Sequence, residues 1–206
     1  MNRWDRALSA LPASPFVLDV GAHDGYFQSA FWHGITHYGW AGLMIEPVQS
    51  YFDELVACYR DFPQVICHRA AIADAPNGET RVLVPPAGAP KWQQGSSTSE
   101  TCALPKYATD AWKWEAVPTT TLPSVLALYD VRQIDAVNID TEGMDAVVLL
   151  QLDLTRYRPA AIKMEVFKLS TDLLERVQKH LQAGGYSYEP LGEQDLVAWP
   201  TQTSGS

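Results

Sequence analysis

The feature that most constrains this chain is an alternation. Short runs of apolar and β-branched residues, several ending on a glycine or an acid, are separated by longer amphipathic stretches. Runs that are apolar on both faces need cover above and below, so the rhythm predicts an α/β fold built on a mostly parallel sheet with helices on both faces. Strands are expected at 16–20, about 42–46, about 64–70, 134–139, 161–166, about 186–190 and about 195–199. A helix is expected from about 27, where Phe27, Ala30, Phe31 and Ile35 share one face, and others at about 48–60, 121–130, 143–150 and 171–183. The last stops at Gly184-Gly185, in the manner of a helix C-terminus. Residues 85–117 interrupt the rhythm from Pro85-Pro86 onward, and an irregular stretch of that length marks a functional or disordered segment.

Length and charge narrow the reading. With 206 residues the chain suits one domain, 1–200, with a tail at 201–206, and it buries enough surface to need no staple. Cys58, Cys67 and Cys102 are odd in number and widely spaced, which indicates neither a disulfide framework nor a zinc cluster and suggests a reduced, cytoplasmic setting. The net charge of −9 with scattered Lys and Arg argues against nucleic acid and anionic lipid as partners. The longest apolar run, Ala146-Val147-Val148-Leu149-Leu150, falls far short of the about 20 residues a membrane span needs, so a soluble chain is expected. Pro12 and Pro15 interrupt the segment where a signal peptide would need an unbroken apolar core.

Three stretches carry chemistry. The first strand delivers Asp19 and then Gly21-Ala22-His23-Asp24-Gly25, a glycine turn leading into a helix, where open α/β sheets admit ligands close to the backbone. A dinucleotide fingerprint would need glycine where His23 stands. Glu46 ends the second strand, placed either to accept hydrogen bonds from the hydroxyls of a ribose or to begin a helix with Pro47. Asp140 and Glu142 leave the 134–139 strand one residue apart, beside Gly143. Such a pair can orient a hydroxyl or take its proton, and Asp140 can equally cap the next helix. Two carboxylates are too few ligands to assign a metal.

Asp-Val-Gly-Ala-x-x-Gly (19–25), Ile-Glu-Pro (45–47), Ala-Ala-Ile-Ala-Asp (70–74), Val-Pro-Thr-Thr-Thr-Leu (117–122), Ile-Asp-Thr-Glu-Gly (139–143) and Lys-Met-Glu-Val (163–166) follow one another in the order of the blocks of the FkbM family of S-adenosylmethionine-dependent methyltransferases, which this chain resembles from about 16 to 199. The resemblance implies a Rossmann-like class I methyltransferase fold with a seven-stranded sheet, S-adenosyl-L-methionine as cofactor, and methyl transfer to the hydroxyl of a sugar, polyketide or related small metabolite. It implies that Asp19, Gly21, Ala22 and Gly25 surround the methionine end of the cofactor. Glu46 would hold the ribose, Ala71 and Ile72 would lie against the adenine with Asp74 nearby, and Asp140 would border both cofactor and acceptor. The family more often has Asn followed by a variable residue where His23-Asp24 stands, a difference that bears on the side chain at 23 and not on the backbone turn.

The acceptor's proton needs a base, and Glu142, His23, Asp140 and Glu165 are the candidates, with Glu142 and His23 favoured. The 85–117 segment then becomes a candidate lid over the acceptor, with Trp92, Trp112 and Trp114 either stacking on it or packing the segment down. His33 and His37 have the spacing of a zinc pair, but Gly34 stands where a protease would carry its glutamate, and a solvated helix face is expected. Cys102 has no evident activating base. Competing readings are an NAD- or nucleotide-sugar-dependent enzyme on a related sheet, and a cofactor-binding module without catalysis. The sequence leaves the acceptor's identity and the oligomeric state open.

Overall fold

The computed structural model describes residues 1–90 and 109–201. The first half contains α1 (Arg3–Ser9), β1 (Phe16–Val20), α2 (Trp32–Tyr38), β2 (Ala41–Ile45), α3 (Gln49–Cys58), β3 (Val65–His68), β4 (Ala71–Ile72) and β5 (Gly78–Val84). The second contains β6 (Lys113–Thr120), α4 (Leu122–Leu128), β7 (Ala136–Ile139), α5 (Asp145–Gln151), β8 (Ala161–Glu165), α6 (Thr171–Ala183), β9 (Tyr186–Leu191) and β10 (Asp195–Pro200).

Seven strands form one sheet in the order β3-β2-β1-β7-β8-β10-β9, and β10 runs antiparallel to both of its neighbours while the other pairings are parallel. The alternation of side chains along each strand sends Leu18 and Val20 of β1, Leu43 and Ile45 of β2, Val137 and Ile139 of β7, and Ile162 and Met164 of β8 into one core with α4, α5 and α6. Val17, Met44, Ala136 and Ala161 face the opposite core, closed by Trp4 of α1, Phe31 and Ile35 at α2, and Leu55 of α3. Each fully buried branched or aromatic side chain contributes about 1.5–3 kcal/mol, which is why the central strands read as continuous apolar runs.

From β1 the chain first builds outward through β2 and β3, then returns to add β7 and β8 on the other side. Adjacent connections diverge at the carboxyl ends of β1 and β7, and such a divergence opens a crevice in an α/β sheet.

Two expectations differ from the structure. Residues 22–31 are turns, and the helix expected from about 27 begins only at Trp32. The buried carboxylate of Asp24 accepts from Tyr26 N–H at 2.9 Å and Phe27 N–H at 2.7 Å, and Gln28 adopts φ 55°. The left-handed backbone at Gln28 breaks the helical run that the periodicity predicts. The interrupted stretch also holds more order than expected at its end. β6 begins at Lys113 and pairs with β5, a strand the sequence pattern did not reveal, and with β4 in a second, three-stranded sheet. Its small core is Val48, Tyr51, Ala71, Val82 and Val117. Trp114, on β6, is partly exposed and lies under the guanidinium of Arg81 at 5.5 Å. Trp92 and Cys102, and with them most of the expected lid, lie outside the described residues.

The middle of α2 tests the packing. Alanine replacing glycine in an open helix stabilises by about 1 kcal/mol. A Cβ on Gly34 would instead run into the ring of Trp40. Gly34→Ala is therefore expected to cost about 1–3 kcal/mol, seen as a lower urea midpoint; a higher midpoint would mean that Trp40 moves aside freely.

Candidate active site

The cleft begins at Gly21. Its φ of 89° lies in the left-handed region, and a Cβ there would collide with the carbonyl oxygen of Asp140, so glycine alone lets the ends of β1 and β7 approach. The N–H groups of Gly21 and Ala22 both donate to Ile45 O, at 2.9 and 3.0 Å, which ties the turn to β2. His23 N–H donates to Glu46 Oε2 at 2.9 Å, and Val48 N–H to Glu46 Oε1 at 2.9 Å. Glu46 thus links the glycine turn to the start of α3 from a buried position. His23 is itself left-handed, φ 51°, with its ring against Tyr51 at 4.0 Å between centroids.

One pocket gathers the candidate residues. Asp19, Gly21, Ala22, His23, Glu46, Ala71, Ile72, Asp140 and Glu142 all line it. Gly25 does not: it packs on Leu55 and Tyr59, and its carbonyl accepts from Tyr59 Oη at 2.8 Å. Asp74 is exposed and Glu165 lies just behind Asp140, neither of them on the lining. Phe27, Gln28, Ser29, Tyr51, Asn138 and Met144 complete walls that the sequence reading did not name. His33 and His37 stack on one another at 4.1 Å on the exposed face of α2, away from the pocket.

At their carboxyl ends the strands carry a polar band, part of it on the lining. Asp19 of β1, Asn138 of β7 and Lys163 of β8 are register partners, and Asn138 Nδ2 donates to Asp19 Oδ1 at 2.8 Å. One pleat further on, Glu165 of β8 faces Asp195 of β10, with Asp140 on the other side of it. Asp145, buried at the start of α5, holds the intervening loop: Oδ1 accepts from Thr141 N–H at 2.8 Å and Oδ2 from Gly143 N–H at 3.0 Å. One carboxylate oxygen from each of Asp140, Asp145 and Glu165 lies within 4.8 Å of the other two. Lys163 Nζ pairs with Asp195 at 3.3 Å, and Lys168 pairs with Glu142 and lies 3.9 Å from Glu165. The buried atoms Asn138 Oδ1, Thr141 Oγ1 and Glu165 Oε2 have no hydrogen-bond partner. Two-residue alternation along β7 and β8 would have placed Asn138 with Asp140 and Lys163 with Glu165. Their contact with Asp19 and Asp195 needs the strand order, which the sequence does not display.

Burial raises the acids here. Asp19 is pushed up to about 6, the hydrogen bond from Asn138 opposing the shift. Glu46 is pushed up to about 7 by burial, against the N–H groups of Val48 and His23. Asp145 rises to about 6, again by burial and against its two backbone N–H partners. Glu165 rises to about 8, first by burial and then through Asp140, Asp145 and Asp195. Asp140 keeps contact with solvent, yet desolvation of its carboxyl and Asp195 raise it against Lys163, Lys168 and His23.

A carboxyl whose folded pKa exceeds its unfolded value holds its proton longer in the folded state, so its stabilising contribution is full below the unfolded pKa and is lost as pH rises through the folded one. For Glu165 the window runs from 4.5 to about 8. Glu165→Gln, which has no proton to lose, should therefore gain stability relative to wild type as pH rises across that window. Melting temperatures at pH 5, 6.5 and 8 check this, and a constant difference would refute the shift.

The model of the Methyltransferase FkbM domain matches residues 19–188. A search of the curated proteins found no match. Among solved structures, the chain is similar to methyltransferase FkbM from Methylobacillus flagellatus KT, with a TM-score of 0.57 and 15% identity over 93% of this chain and 45% of that one. It is similar to the fibrillarin pre-rRNA processing protein of Methanococcus jannaschii, with a TM-score of 0.50 and 13% identity over 91% of this chain and 66% of that one. Aeropyrum pernix fibrillarin, solved with natively bound S-adenosyl-L-methionine, gives a TM-score of 0.50 and 12% identity over 91% and 68%. The chain thus spans less than half the length of the FkbM structure and about two thirds of the fibrillarins. At these identities the likeness is one of fold.

Proposed function

The chain belongs to the FkbM methyltransferase-domain family, and from that premise we propose that it moves a methyl group from S-adenosylmethionine to a hydroxyl oxygen of a small metabolite. The sheet order is that of a Rossmann-like class I methyltransferase. The observation that carries the reading is the convergence of a glycine turn, a buried glutamate, an apolar wall and an acidic edge on one cleft at the β1–β7 divergence.

The residues present fit such a cofactor. Ile45, Ala71 and Ile72 offer an apolar wall to a purine. Each carboxylate oxygen has more than one lone pair, so Glu46 can accept from ribose hydroxyls while it holds His23 and Val48. The acidic edge of Asp19 and Asp140 complements a positive charge at the methionine end. When bound, the cofactor supplies an electrophilic methyl carbon. The protein's task is to hold the acceptor oxygen in line with it and to receive the hydroxyl proton, and alignment of that kind accounts for much of a displacement rate. Glu142, Asp140 and His23 all line the cleft, and in this reading one of them receives the proton. Lys168 pairs with Glu142 and orients its carboxylate at the acidic edge.

The acceptor belongs to this proposal: a small, hydroxylated molecule rather than nucleic acid, a choice supported by the acid excess. So does a reduced, cytoplasmic setting, which the odd number and wide spacing of the cysteines support. No helix among the described residues is long and apolar enough to cross a membrane.

Calorimetry with S-adenosylmethionine, S-adenosylhomocysteine and NAD tests the cofactor, and binding of NAD alone would overturn the reading. Glu46→Gln should weaken both adenosyl ligands by about 1.5–3 kcal/mol through loss of charge-assisted bonds; unchanged affinity would remove Glu46 from the ribose site. A transfer screen with labelled cofactor should find alcohol acceptors, and success on amines alone would refute oxygen as the target. With an acceptor in hand, Glu142→Gln should slow turnover by about 10²-fold or more while sparing S-adenosylhomocysteine binding. Wild-type turnover in that variant would pass the proton to Asp140 or His23.

A further inference from the structure

From Gly25 to Ile45 the chain carries no Lys, Arg, Asp or Glu, although 19% of all its residues are charged. In that uncharged stretch a series of rings touch one another. Tyr26 meets Trp32 edge-on at 5.0 Å between ring centroids, Trp32 meets His37 at 5.8 Å, His37 stacks on His33 at 4.1 Å, and His33 meets Tyr38 at 5.4 Å. The two ends of the strip are open, Tyr26 being 61% and Tyr38 65% exposed, and both histidines are exposed between them. A core would have covered these rings, whereas contiguous exposed aromatic surface marks a binding face. The strip also continues from the cleft. Tyr26 directly precedes Phe27, Gln28 and Ser29, which line the pocket, and Ser29 Oγ ties that wall to α2 by accepting from Phe31 and Trp32 N–H at 3.3 and 3.1 Å.

A ligand suited to this strip is neutral, has an apolar face and carries hydrogen-bonding groups around its rim. Aromatic rings offer their surface to C–H bonds, while Tyr hydroxyls, the Trp N–H and imidazole nitrogens serve hydroxyl groups beside them. A sugar ring has this make-up, with a face of C–H bonds and a rim of hydroxyls. Nucleobases stack on aromatic rings as well, but each brings a phosphate and calls for cations that this stretch lacks. Resting on the methyl-transfer reading above, we infer that the acceptor is a neutral oligosaccharide whose terminal sugar presents a hydroxyl in the cleft while the following sugars run over Tyr26, Trp32 and the His33–His37 pair to Tyr38. No charge has to be matched along this path. Contact area and hydroxyl bonds then carry the recognition, and affinity grows with the number of sugars until the strip is filled.

Tyr38, at the far end of the strip and off the pocket lining, is the residue to change. Calorimetry with neutral oligomers of glucose, mannose, galactose and xylose, from single sugars to hexasaccharides and with S-adenosylhomocysteine present, should find a series whose affinity rises about tenfold or more with length. Tyr38→Ala should weaken the hexasaccharide of that series by about three- to tenfold, the worth of one aromatic contact, while the single sugar and S-adenosylhomocysteine bind as before. Tyr38→Phe, which keeps the ring, should retain most of the affinity. Affinity that does not depend on length, or a Tyr38→Ala variant that binds every oligomer as wild type does, overturns the inference. Binding of oligouridylate instead of the sugars, or a dimer at micromolar concentration that Tyr38→Ala dissociates, overturns it too, since the strip then serves RNA or a second copy of the chain. Transfer of labelled methyl separates the inference from the reading it rests on. If a small alcohol is methylated and no oligosaccharide binds, the strip fails alone; if a hexasaccharide binds through Tyr38 and S-adenosylmethionine does not bind at all, the methyl-transfer reading fails and the sugar site stands.

Discussion

The contact between Gly21 and the carbonyl of Asp140 is the constraint on which the cleft depends. β1 lies between β2 and β7, and the chain leaves it in opposite directions on the two sides. At the carboxyl edge the two strand ends must come close enough for Asp19 and Asn138 to bond, yet the crevice above them must stay open. A glycine at φ 89° meets both demands, because any Cβ would drive the β7 loop away. Moving that loop would displace Asp140, Glu142 and the backbone N–H groups that Asp145 holds, so one missing methyl group sets the register of the whole acidic edge.

The fold was legible where burial on both faces leaves its mark. The expected strands at 16–20 and 161–166 fall on β1 and β8, and the expected helix at 171–183 on α6. Legibility failed where another force outweighs periodicity. Gln28, at φ 55°, leaves the helical region just where a helix from Phe27 would have needed it. β5 is exposed along its first half, and Glu79, Thr80 and Arg81 obscure any alternation there. At the site, residues at the ends of parallel strands could be named because ligands meet an α/β sheet at that edge. Gly25 has the spacing of a ligand-binding glycine but serves the packing of Tyr59 and Leu55. Asn138 and Lys163 escaped notice because their meaning lies in which strands are neighbours, and neighbours are a property of the fold.

Glu46 does two jobs with one carboxylate. In the proposed reading it binds a ribose, and in the structure it also fixes the backbone at His23 and Val48. Removing the side chain would loosen the glycine turn and the start of α3 together with any ligand contact. A neutral isostere keeps an acceptor for one of those N–H groups, which makes glutamine the cleaner probe than alanine. Burial of this acid costs the apoprotein stability at neutral pH, since its pKa is pushed up to about 7. Ligand hydroxyls would return part of that cost, which couples cofactor binding to the ordering of the turn.

The formal charge of −9 assumes that every acid is ionised. Burial pushes Glu165 up to about 8 and Glu46 up to about 7, so both hold their protons to higher pH than exposed carboxyls do. The resting protein is therefore less negative than its composition implies, and the missing charge is concentrated at the cleft. A buried acid beside a pocket favours a positively charged ligand, whereas exposed acids such as Asp53 and Glu54 on α3 face solvent and disfavour polyanions. Composition pooled these two populations into a single number. The structure separates them, and with them two arguments: surface acids disfavour nucleic acid, while the buried acids form a reserve of negative charge available to a positively charged ligand.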